Sequence, residues 1–144
     1  MKIKSHSEED TVSLAVSLAG ELKAGALLYL HGDLGAGKSV FARGLVRALC
    51  GDEAMDVPSP IFTLVQSYEG LCAPVYHFDL YRIEDADEIF ELGWEDALYD
   101  GIVIVEWPSR LGSYMREACM DITISPVAGR EHIREIEVVK HGGY

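Results

Sequence analysis

The sequence predicts an α/β fold with a mostly parallel central sheet, helices on both of its faces and an antiparallel C-terminal extension. Three observations carry this prediction. Short apolar, strand-like runs alternate with amphipathic helical stretches as far as Glu106, the pattern of a sheet layered between helices. Two of the runs, Ala26–His31 and Gly101–Trp107, are apolar almost throughout, as strands buried on both faces must be. The last two strand-like runs have no helix between them, so they are expected to pair antiparallel. A chain of 144 residues, 49% of them hydrophobic, has the material for one core, which places a single domain over 1–144.

The elements follow in order. Lys2–Lys4 is a short strand. Ser5 and Ser7 offer N-cap oxygens, with Glu8 and Asp10 three residues later, a capping-box pattern. Val12, Leu14, Ala15, Val16, Leu18, Ala19 and Leu22 then form one face of a helix that Gly25 ends. Ala26–His31 is a buried strand. Val40–Leu49 is a helix with Phe41, Leu45, Val46 and Leu49 on one face and Arg43 and Arg47 on another, stopped by Gly51. Val57-Pro58-Ser59-Pro60 is extended, because proline excludes helical geometry from the residue before it. Ile61–Tyr68 and Val75–Leu80 are strands around a turn at Gly70–Pro74. Asp85–Leu98 is a helix, Gly101–Trp107 a strand, and Asp121–Ser125 and His132–Val139 the terminal pair.

Composition narrows the function classes. The net charge is −12 and no stretch clusters Lys and Arg, which excludes strong direct binding to nucleic acid, where phosphate contacts dominate affinity. An acidic surface suits a basic protein partner, or solubility alone. No apolar stretch reaches the roughly 20 residues that span a bilayer. Acids rather than an apolar segment follow the first residues, so no signal peptide is read and a cytoplasmic location is expected. Cys50, Cys72 and Cys119 are far apart and read as reduced thiols packing as small hydrophobes.

Gly32-Asp33-Leu34-Gly35-Ala36-Gly37-Lys38-Ser39 satisfies the pattern G-x-x-x-x-G-K-[ST], with a buried strand before it and a helix after it. The glycines let successive N–H groups point inward at phosphate oxygens, and the helix start adds its partial positive charge. Lys38 reaches the β- and γ-phosphates, and the Ser39 hydroxyl meets Mg2+. The fold is therefore expected to be a P-loop NTPase-like three-layer sandwich. Glu106, ending an aliphatic strand, is the second expected contact to the metal. In Val75–Leu80, alternation sets His77 and Asp79 on the face opposite Tyr76, Phe78 and Leu80. Asp79 there orients a water or forms a salt bridge. His77 reads as a structural strand histidine or a functional group. Ser59 and Thr63 sit in a proline-framed loop where related NTPases sense the γ-phosphate. Trp107 packs over the site, forms a partner surface or serves the core. No N-K-x-D motif for guanine is present, which favours ATP.

Together these segments resemble the TsaE family, the P-loop ATPase of bacterial tRNA threonylcarbamoyladenosine biosynthesis. The resemblance is carried by the glycine-rich run, by Ser59-Pro60 with Phe62-Thr63-Leu64-Val65, by His77-Phe78-Asp79-Leu80-Tyr81-Arg82 and by Val105-Glu106-Trp107-Pro108. It implies an ATP-hydrolysing component that acts with TsaB- and TsaD-type proteins to form N6-threonylcarbamoyladenosine at position 37 of tRNAs reading codons that begin with A. tRNA is then met only indirectly, through the complex, and no membrane is involved. It also implies that Gly35, Ala36, Gly37, Lys38, Ser39 and Val40, with Asp79 and Trp107, bind ATP or ADP. Ser39 and Glu106 hold Mg2+, and Lys38, Asp79 and Glu106 are catalytic. Arg130, in Gly129-Arg130-Glu131, contacts the nucleotide, and Glu8 and Thr11 lie near the base. Two positions depart from the family pattern: Ile61 stands where Thr is usual, so no hydroxyl is available there, and Gln66 stands where Glu is common.

Two other functions share the phosphate cradle. A small-molecule kinase needs an acceptor pocket and an arginine-bearing lid, and the arginines here are scattered. A non-hydrolysing, nucleotide-dependent adaptor needs no acids at the strand ends, where Asp79 and Glu106 stand.

Overall fold

The computed structural model describes residues 1–142, so the last two residues of the expected 1–144 domain lie outside it. Seven strands form one mixed sheet: β1 (Lys2–Ser5), β2 (Leu27–His31), β3 (Val65–Glu69), β4 (Pro74–Asp79), β5 (Ile102–Glu106), β6 (Met120–Val127) and β7 (Arg130–Lys140). Their spatial order is β1-β7-β6-β2-β5-β4-β3. The four central strands β6-β2-β5-β4 are parallel, and antiparallel partners flank them at both edges.

Alternation along the central strands sorts side chains onto two faces. Leu28, Leu30, Ile102, Ile104 and Val75 join one core, beneath helices α1 (Glu8–Ala19) and α2 (Lys38–Cys50). Leu27, Tyr29, Val103, Val105 and Phe78 join the other. That second core is covered by two 3-10 segments, Ala86–Leu92 and Pro108–Tyr114, and by helix α3 (Trp94–Asp100). The edge of the Phe78 ring lies against Trp94, with centroids 5.1 Å apart.

Several boundaries differ from the sequence expectation. The first helix ends at Ala19 and is capped at Gly20, although Leu22 beyond it is still buried. Of the two N-cap oxygens read at its start, Ser7 serves, accepting from the Asp10 N–H, whereas Ser5 donates to the Ser7 carbonyl and Asp10 accepts from the His6 N–H rather than from the N-cap's own. The strand expected from Ile61 begins only at Val65, because residues 61–64 form a turn closed by the Leu64 N–H on the Pro60 carbonyl. The helix expected over Asp85–Leu98 is broken at Gly93, which has φ 81°. The C-terminal strands pair antiparallel as expected, but β6 also lies parallel to β2 and so belongs to the central sheet, while β1 extends the edge beyond β7. Cys119 is buried and Cys50 half-buried, whereas Cys72 is exposed and does not pack. Among the described residues, no helix is long and apolar enough to cross a membrane.

Candidate functional site

Three parallel strands deliver their carboxyl ends to one place. Leu30 of β2 and Asp79 of β4 both stand opposite Glu106 of β5. The glycine-rich loop leaving β2, the Asp79 carboxylate and the Glu106 carboxylate therefore emerge together, at the end of an open α/β sheet where ligands characteristically bind.

The loop between β2 and α2 turns on glycines. Gly32, Gly35 and Gly37 have φ of 153°, 81° and 107°. At Gly32 the need is also steric, since a Cβ there would lie 2.7 Å from the Ile124 carbonyl oxygen of β6. Lys38 opens α2 and is only 5% exposed. Its Nζ donates to the Gly32 carbonyl and lies 3.9 Å from the centroid of the Trp107 ring. The ammonium is thus folded back over its own loop, between a neutral acceptor and an aromatic face. Trp107 in turn leans on Tyr81, with centroids 4.9 Å apart.

Trp107 and Leu64 are the described non-glycine residues with positive φ, 58° and 70°. Such backbone costs about 1–3 kcal/mol each. Both lie at the site: Trp107 follows Glu106, and the Leu64 carbonyl accepts the Asp79 N–H at 2.9 Å.

A cavity of about 340 Å³ opens here. Gly35, Gly37, Lys38, Ser39, Val40, Asp79, Glu106 and Trp107 all line it, and Ser59 and Ile61 enter it from the proline-framed loop. Ile61 gives the cavity an apolar side chain with no hydroxyl.

The remaining expected residues lie elsewhere. The Ala36 side chain is buried in the core. Arg130 is exposed at the start of β7, does not line the cavity, and its guanidinium makes no hydrogen bond or ion pair among the described residues. Thr63 accepts from Gln66 Nε2 at 3.1 Å on an exposed turn. Thr11 is buried, with its hydroxyl 2.7 Å from that of Ser5. Glu8 lines a separate groove of about 900 Å³ between α1 and α2, and Val40 lines both this groove and the first cavity.

Two residues join the site that sequence reasoning left open or missed. His77 Nε2 lies 2.7 Å from Glu106 Oε2, with both side chains almost wholly buried. Arg134, in β7, donates through Nε to the Ala36 carbonyl at 3.0 Å and through Nη1 to the Glu131 carbonyl, tying the C-terminal hairpin to the glycine-rich loop. The alternation that placed His77 on the face of Asp79 was a usable signal for the first; the second had none.

Burial shifts the titrating groups. Desolvation raises the Asp79 carboxyl above its ordinary value; the Tyr81 N–H, 3.0 Å away, opposes this, and the charge of Glu106 adds to it. Desolvation lowers Lys38, against the pull of Glu106, Asp79 and Asp33. The donors facing the cavity are hard oxygens, the Ser39 hydroxyl and two carboxylates. That set suits Mg2+, which takes one or two carboxylates and shares the rest of its shell with phosphate and water. Among the described residues no group of three or more His, Cys, Asp or Glu side chains would hold a metal by protein ligands alone, and a cation shared with phosphate does not require one.

Comparison with known proteins gives the family. Residues 5–136 match the family described as "Threonylcarbamoyl adenosine biosynthesis protein TsaE". The chain belongs to the TsaE family. A TsaE from Rickettsia conorii is 34% identical over 131 residues, covering 91% of this chain and 74% of that protein. A TsaE from Treponema pallidum is 32% identical over 139 residues, covering 96% and 99%. Both carry the name "tRNA threonylcarbamoyladenosine biosynthesis protein TsaE". The crystal structure of YdiB from Bacillus subtilis superposes with a TM-score of 0.78 at 30% identity, covering 99% of this chain and 86% of that one.

Proposed function

We propose that this TsaE-family chain binds ATP with Mg2+ in the cavity at the strand ends and hydrolyses it, serving the formation of threonylcarbamoyladenosine in tRNA together with TsaB- and TsaD-type proteins. On this reading the fold is a P-loop NTPase-like three-layer sandwich forming one domain, working in the cytoplasm. The observation that carries it is the convergence of Lys38, Ser39, Asp79 and Glu106 on a single cavity from three separate segments. The names of the curated relatives support the tRNA-modification role.

The residues divide the work. Backbone N–H groups from Gly35 to Val40 and the start of α2 receive phosphate oxygens. Lys38 exchanges the neutral Gly32 carbonyl for an anionic phosphate oxygen, so its ammonium gains a charge–charge attraction where it had a charge–dipole one. Ser39 and Glu106 would hold Mg2+, which neutralises charge on the β- and γ-phosphate oxygens when bound. Asp79, its carboxyl raised by burial, orients the attacking water and holds its proton. The Trp107 ring, already against the Lys38 ammonium, keeps bulk water from the phosphates.

The test is phosphate release and calorimetric ADP binding, with and without the partner proteins. Lys38→Ala is expected to weaken ADP binding about 10–100-fold through lost charged hydrogen bonds. Glu106→Gln is expected to retain nucleotide but slow release by about 100-fold. Unchanged release in Glu106→Gln would remove the metal assignment; unchanged ADP affinity in Lys38→Ala would remove the site.

A further inference from the structure

We propose that His77 is a positioning residue of this site: its Nε2–H holds one oxygen of Glu106, Oε2, and so sets the other, Oε1, toward the bound cation. The proposal rests on the reading of Glu106 as a cation-facing carboxylate.

The register makes the contact. Asp79 stands opposite Glu106, and His77 opposite Ile104, so His77 and Glu106 lie on the same face of neighbouring strands, one pleat apart. An ionised carboxylate has only acceptors, so at 2.7 Å the ring nitrogen is the donor. No hydrogen bond reaches Oε1 among the described residues, which leaves that oxygen for the cavity.

Three features separate this from an ordinary core histidine. On this face Val75, Ile102 and Ile104 are buried aliphatics, and Gln66, opposite on β3, turns its amide to Thr63, so a Leu would fill the place and leave only Glu106 without its partner. The second ring nitrogen, Nδ1, is buried with no partner among the described residues. The ring therefore bears the cost of an unpaired polar atom while making one bond, and that bond goes to Glu106. The Asp79 and Glu106 carboxylates also stand in register and repel each other. A freely rotating Glu106 would swing away from Asp79, whereas a donor on Oε2 keeps both acids at the cavity. Partners of this kind, which orient a metal-facing side chain from behind, typically matter 10–100-fold.

The experiment uses the full chain and ADP as probe. Calorimetry gives the ADP affinity in excess Mg2+ and in EDTA, and phosphate release gives kcat and KM. The proteins are wild type, His77→Leu, His77→Gln, Glu106→Gln and the double variant His77→Leu/Glu106→Gln. His77→Leu is expected to lower kcat about 10–100-fold and to lose most of the affinity gained from Mg2+, raising KM by no more than that lost gain and leaving EDTA-state binding within about twofold of wild type. His77→Gln, which returns an N–H near the Nε2 position, restores most of both losses. In the Glu106→Gln background, His77→Leu adds nothing further, the non-additivity of two groups acting through one contact.

A folded His77→Leu that keeps its Mg2+ gain and kcat overturns the proposal. So does a His77→Gln no better than His77→Leu, a double variant with additive losses, or equal loss of ADP binding in EDTA, each of which marks a structural role. If His77→Leu does not fold, His77→Gln and His77→Asn carry the test: Gln is expected to keep the Mg2+ gain, and the shorter Asn to lose it. Loss of the Mg2+ gain in Glu106→Gln but not in His77→Leu sinks this proposal alone. A Glu106→Gln variant that keeps its gain sinks the site reading beneath it.

Discussion

Asp79 and Lys38 line the same cavity, and burial moves them in opposite directions, the acid up and the ammonium down. Each shift disfavours the charged form, so an empty site stores electrostatic cost that a polyphosphate with its cation relieves. For Asp79 this has a consequence for stability. A carboxyl raised in the folded state binds more protons folded than unfolded in the window above its ordinary value of 3.8. Stability therefore falls as pH rises from that value through the folded one, and the loss is complete above it. Asp79→Asn removes the charge while keeping an oxygen for the Tyr81 N–H. The variant is expected to melt higher than wild type at neutral pH, with the advantage vanishing in acid, and to lose phosphate release. Thermal melts across pH check the first part and a phosphate assay the second. A variant less stable than wild type at neutral pH would show that the carboxylate is favourably paired.

Between elements, the contacts that matter join segments distant in sequence. Arg134 reaches from β7 to the Ala36 carbonyl of the glycine-rich loop and braces it. Arg134→Met is expected to raise the ADP dissociation constant about tenfold, the worth of one charged hydrogen bond. Arg134→Lys should recover little, because an ammonium does not reproduce the guanidinium fork. Calorimetry measures both. The broken helix is a second case. Gly93 has φ 81°, and a Cβ there would meet nothing within 4 Å, so the glycine serves conformation alone. Gly93→Ala is expected to cost about 1–2 kcal/mol, lowering Tm by roughly 5 °C with ADP affinity unchanged. An unaltered Tm would mean that the break at this point is not imposed by the backbone.

Across the whole molecule, the sheet carries two cores, one beneath α1 and α2 and one beneath α3 and the 3-10 segments. The cavity lies at the strand ends between them, so a ligand there touches groups from β4, β5, α2 and the loop around Ser59 at once. Binding at such a junction stabilises the folded state by linkage. At about 100 times its dissociation constant, ADP with Mg2+ is expected to contribute about 2.7 kcal/mol and to raise Tm by several degrees, and Lys38→Ala at the same ADP concentration should cut the contribution to about 0.4–1.4 kcal/mol. The charge of −12 acts at the same scale: association with a basic partner surface should slow as salt is added.

The chain's own pattern determined what is local or periodic. Lys38 and Ser39 were legible as cavity residues because they belong to one consecutive motif. Leu28, Leu30, Val103 and Val105 were legible as strand residues because they lie in short, almost wholly apolar runs. The break at Gly93 was not read, although a glycine inside a helical stretch is a local signal against an unbroken helix. What only the tertiary structure decided are contacts between segments with no spacing to betray them: β6 beside β2, His77 on Glu106, Arg134 on Ala36. Strand register sets the first two. The third is carried by Arg134, which stands opposite Pro126 at the end of the regular β6–β7 register. Such pairings are settled by which buried faces fit together, and the free energy of that fit belongs to the packed core rather than to any stretch of residues.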